Sequence, residues 1–147
     1  MYSTVLLVHS WVRWIALVAG IGATAAALGR HSSSGGWGRV LTISLDLQML
    51  LGLLLYFVVS PNMAAIREHF GEAMQTPSLR FWAVEHVTMM IVALALAHMG
   101  RALAAKAATP EARRNRSIVF FGLSTLAMLA GTPWPGLPYG RPLFRVS

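Results

Sequence analysis

Residues 81–103, from Phe81 to Leu103, read FWAVEHVTMMIVALALAHMGRAL. Crossing the hydrocarbon core of a bilayer takes about 20 mostly apolar residues at roughly 1.5 Å rise each, so this run is long enough to span. It also carries Glu85, His86 and His98. An ionisable group inside a span is expensive and is read by default as functional. The stretch therefore predicts a transmembrane helix with chemistry on it.

Three more apolar runs flank it. Val5 to Leu28 and Val40 to Val59 are long enough outright, and a shorter one from about Ser117 ends where Pro133 and Pro135 follow. The expected architecture is all-α, a bundle of four transmembrane helices at about 5–28, 40–59, 77–105 and 110–132 in one domain. A Pro-rich tail, 133–147, is expected along the outer surface. The first run is not a signal peptide, because it lacks a basic start and His9 and Arg13 interrupt its core. The Gly/Ser-rich segment 29–38 reads as a polar link. Ser60-Pro61 reads as an N-cap with Pro at the first helical position, opening one short interfacial helix that Gly71 closes. Thr76-Pro77 and Thr109-Pro110 repeat the signal.

Composition agrees. Apolar residues make up 56% and charged residues 12%, half the charge of a soluble domain. The net charge of +7 comes from twelve Lys/Arg against five acids. Most of the cations sit in short loops, where they set orientation and meet lipid head groups, so nucleic acid is not an expected partner. The 29–39 and 101–116 links carry Arg30, Arg39, Arg101, Lys106, Arg113, Arg114 and Arg116. The other side carries Arg67, Arg80, Arg141 and Arg145. The bias predicts both termini outside. With no cysteine, thiolate metal sites and CxxCH haem attachment are excluded. No hydrolytic triad, P-loop or HExxH is present, so stand-alone catalysis is not expected.

The intramembrane polar residues sort by depth. His9, Arg13, Glu85 and His86 form an expected outer layer, and Asp46, Gln48 and His98 an inner one. His9 and His86 have two readings. Either they are axial ligands of a b-type haem between the first and third long helices, with Arg13 or Arg80 on a propionate, or they belong to a buried network in which Arg13 pairs with Glu85. Haem iron needs only two imidazoles from facing helices. Asp46 with His98 is either a proton-accepting pair beside a quinone or a single interhelical hydrogen bond. Small residues share a face with His9 (Ala16, Gly20, Ala23, Ala27) and with His86 (Ala93, Ala97, Gly100), permitting close packing or room for a flat ligand.

The segments His9-Ser10-Trp11-Val12-Arg13-Trp14, Leu47-Gln48-Met49-Leu50-Leu51-Gly52, Val84-Glu85-His86 and Pro133-Trp134-Pro135 resemble a family of small four-span bacterial membrane proteins labelled cytochrome b-like. The resemblance implies a haem b-binding bundle in the bacterial inner (cytoplasmic) membrane, with His9, His86 and His98 at the family's histidine positions. Relatives carry His where this chain has Asp46, a departure that removes the partner an inner haem would need. The function expected is electron transfer with the quinone pool or a partner complex. The alternative is a haem-free accessory subunit of a larger membrane complex, or a homo-oligomer.

Overall fold

Hydroxyl–proline pairs mark where helices begin. Ser60 Oγ accepts the Met63 N–H (3.3 Å) and Thr109 Oγ1 the Ala112 N–H (3.1 Å), whereas Thr76 makes no such bond. The computed structural model describes residues 1–29 and 34–144; the expectations placed on Arg30 and Arg145 lie outside the described residues.

The order is α1 (Tyr2–Leu28), α2 (Ser34–Leu54) running into a π-helical turn (Leu55–Val59), α3 (Pro61–Glu68), α4 (Phe70–Gln75) and α5 (Pro77–Arg80). A second π-helical turn (Phe81–Glu85) then leads into α6 (His86–Ala105), and α7 (Pro110–Gly131) follows. There is no strand among the described residues. Among the described residues, three helices are long and apolar enough to cross a membrane: Tyr2–Leu28, Gly35–Val59 and Pro77–Ala105. By composition this is a multi-pass membrane protein. α7 packs beside them, but Glu111, Arg113, Arg114 and Arg116 occupy its first two turns and shorten its apolar part.

The four long helices form a closed ring in the order α1, α2, α6, α7, with α7 returning to α1. Toward the far end of α1 the interior is tightly filled around Leu41, Ala93, Ala97 and Phe121. Gly20 and Gly100 serve close packing there. A Cβ on Gly20 would stand 2.5 Å from Thr125 Oγ1, and one on Gly100 would stand 2.7 Å from Phe120 Cβ.

Two loop expectations are corrected. The segment expected as a link is helical from Ser34. Its glycines are poor helix formers, but Gly38 admits the Phe121 ring and Gly22 admits Trp37, so tertiary packing overrides propensity. The 60–76 connection is two short helices rather than one, and it breaks at His69, not Gly71. At φ −117° and ψ 44°, His69 closes α3 through its N–H to Ala65 O (3.1 Å) and opens α4 by accepting the Ala73 N–H (3.0 Å).

Helix C-termini leave carbonyls without intrahelical donors. Arg114 donates to Ala27 O (3.2 Å) and Leu28 O (3.4 Å) at the end of α1, and Arg116 to Leu103 O (2.6 Å) near the end of α6. Arg67 donates to the carbonyls of Tyr56 and Phe57 at the end of the helix that α2 begins. Loop arginines are thus also caps, placed where the helix dipole favours a cation.

Candidate functional site

The end of α7 is set by proline. Leu129 O would normally bond the N–H of residue 133 and Gly131 O that of residue 135, but both positions are proline and carry no N–H. Leu129 O instead accepts from Trp134 Nε1 (2.8 Å), and Gly131 O accepts from His86 Nδ1 (2.7 Å). Because a carbonyl can only accept, Nδ1 carries the proton and Nε2 keeps the lone pair. This is the arrangement that orients a ligating histidine.

His9 faces His86 across the bundle, with ring centroids 6.4 Å apart and planes at 67°. The two residues come from α1 and α6, which the ring order makes diagonal rather than adjacent. The Gln48 amide nitrogen donates to His9 O (2.9 Å). Three polar side-chain atoms are buried there without a hydrogen-bond partner: His9 Nδ1, Arg13 Nε and Gln48 Oε1.

All of them border one cavity of about 860 Å³ at the end of the bundle where α1 begins, walled by His9, Arg13, Gln48, Trp82, His86 and Arg141. That is the size range of small-molecule and cofactor sites. Met49, Met63, Met90 and Met128 line its apolar surface.

The tail covers part of this space, with Pro133, Arg141 and Pro142 on its border. Leu143 O accepts from Arg13 Nη2 (2.7 Å) and Trp14 Nε1 (3.1 Å). Phe144 stacks on Trp14 and Tyr139 on Phe81. Arg141, whose N–H bonds Pro133 O (3.0 Å), holds its guanidinium over the Trp82 ring. Gly140 is needed for the fold-back, because a Cβ there would stand 2.5 Å from Trp134 O.

The two π-helical turns stand beside the cavity, and the Tyr56 hydroxyl of one donates to Ala83 O of the other (2.9 Å). The second turn also corrects the expected Arg13–Glu85 pair. Residues five apart line up on a π turn as they do not on an α-helix. Glu85 accordingly binds Arg80 at 2.7 Å, half-exposed and away from Arg13. Arg80 is thereby engaged and does not border the cavity; Arg141 does, and the sequence reading assigned it no role.

The expected inner layer divides. His98 Nε2 and Asp46 Oδ1 meet at 2.8 Å, with side chains 48% and 51% exposed, and neither borders the cavity. Gln48 belongs with His9. Two residues along a helix is about 200° of rotation, so Gln48 turns inward where Asp46 turns out. His69 and Glu72 border the cavity from the exposed interfacial helices.

Among the described residues, no three His, Cys, Asp or Glu side chains gather to hold a metal ion. A histidine pair suits a metal that brings its own equatorial ligands. Two imidazoles sharing such a metal have centroids about 6 Å apart, from metal–nitrogen bonds of roughly 2.0–2.1 Å plus the ring radii. The separation, the oriented His86, the unpartnered Arg13 Nε as a donor to a propionate and the cavity size fit haem. No family model, curated protein or solved structure matches the chain.

Proposed function

We propose that this chain is a four-span membrane subunit of the b-type cytochrome class, carrying haem b and passing electrons between the quinone pool and a partner complex. The observation that carries the proposal is the His9–His86 pair facing across the bundle at 6.4 Å, with His86 fixed by Gly131 O. His9 and His86 would hold the haem iron, and Arg13 and Arg141 would be the cations available to the propionates. The four methionines and Trp82 keep the ring's surroundings apolar, and the 133–144 tail shields the site from water. Haem bound there supplies a one-electron carrier.

α7 is the fourth span in this reading. It closes the ring between α6 and α1, and its Ser124 and Thr125 hydroxyls are bonded to Ala93 O and Phe121 O. Both termini then lie outside, as the Lys/Arg asymmetry favours, and the membrane is the bacterial inner membrane that the resemblance implies. A haem-free accessory subunit is the second reading, favoured by the half-exposed Asp46–His98 pair, which an assembly would cover.

Haemin titration of the purified apo-protein, followed by the Soret band, tests the proposal. Stoichiometric, saturable binding is expected, and it is lost in His9→Ala/His86→Ala. Binding that is absent, or unchanged in the double variant, contradicts it.

A further inference from the structure

We infer that the Asp46–His98 seam is the contact through which two copies of this chain pair in the membrane. The inference does not depend on what the cavity holds.

Asp46 lies midway along the span Gly35–Val59, and His98 seven residues before the end of Pro77–Ala105. Both are inside the apolar runs, yet about half of each side chain is uncovered. A half-uncovered carboxylate–imidazole pair facing hydrocarbon is costly, and such groups in spans face protein or water. One turn further along, Arg101 Nη1 donates to Thr42 Oγ1 (2.8 Å), so the seam between α2 and α6 is polar over two turns.

Self-pairing is what this surface fits. It presents a carboxylate and an imidazole side by side. A twofold axis between copies brings each Asp46 toward the other copy's His98, as an isologous contact requires. The imidazole flanks permit the approach: Ala95 and Ala102, three residues before and four after His98, are exposed. Small residues at that spacing let membrane helices come close, and side-chain hydrogen bonds between helices then hold them. On α2, exposed Ile43 and Leu50 lie one turn either side of Asp46 and supply the apolar rim.

The chain has no cysteine, so single-cysteine variants report cleanly. Ala95→Cys and Ala102→Cys, reconstituted in lipid vesicles at high lipid-to-protein ratio and oxidised, should give a disulfide-linked dimer. Leu126→Cys on α7, 61% exposed on another face, should stay monomeric. Adding Asp46→Leu to Ala95→Cys should cut the dimer yield about fivefold, roughly the contribution of one interhelical hydrogen bond. Asp46→Asn, which keeps an acceptor, should retain most of it. Equal yields at all three positions, or a yield indifferent to Asp46→Leu, overturn the inference. Monomer throughout, with a quinone analogue protecting the cysteine at 95 from a thiol reagent, would overturn it in favour of a quinone site on the same seam.

Discussion

Gln48 is the residue whose role the structure changes most. Its amide holds the His9 carbonyl while its own Oε1 is buried without a donor. An unmade buried bond costs about as much as a made one contributes. Gln48→Met should therefore lower the stability of the apo-protein by less than about 1 kcal/mol, read as a small shift in the thermal midpoint in detergent. A loss several times larger would mean that Oε1 already has a partner. Gly20 is the opposite case. A Cβ there meets Thr125 Oγ1 at 2.5 Å and Met128 Cε at 2.9 Å, so Gly20→Val should cost about 1–3 kcal/mol by overpacking. An unchanged midpoint would show that α1 and α7 separate more easily than their packing implies. Both residues carry sequence signals of different clarity. Gly20 follows from the small-residue spacing on α1, but Gln48 needed the rotation of α2, which no count of residues from a hydropathy edge supplies when the helix starts six residues earlier than expected.

Among the elements, the π-helical turns and the end of α7 were the least legible in sequence. Nothing in Leu55–Val59 or Phe81–Glu85 announces an inserted residue; the Arg80–Glu85 spacing of five is a trace visible only afterwards. Gly131 is different. Proline at 133 and 135 removes the i+4 donors of the Leu129 and Gly131 carbonyls, and since the Thr132 N–H reaches Leu129 O (3.3 Å), the need for an outside partner at Gly131 could have been read directly. The identity of that partner, His86, is a tertiary fact. Two measurements belong here. Tyr56→Phe removes the bond between the π turns and should cost about 0.5–1.5 kcal/mol, with exchange of backbone amides rising at the cavity end of the bundle alone. Arg114→Ala, which uncaps α1, should cost about 0.3–1 kcal/mol, less at high salt as a dipole interaction demands. Salt independence would remove the electrostatic part of that explanation.

At the scale of the whole molecule, hydropathy and loop punctuation were enough for an all-helical chain with its long helices in nearly the right places. Their arrangement was not available from the sequence. The ring order puts α1 and α6 on a diagonal, so His9 and His86 converge on the bundle interior, while Asp46 and His98, one helix step around, look outward. Two histidine-bearing layers that the sequence told apart only by depth thus divide into an interior site and an exposed seam. Haem ligation at the interior site is read from the reduced-minus-oxidised visible spectrum of membranes expressing the chain. A b-type α-band at one haem per chain is expected, abolished in His86→Ala and in His9→Ala and kept in His98→Ala. A spectrum without that band under haem-replete expression, or a band surviving loss of both His9 and His86, would contradict it.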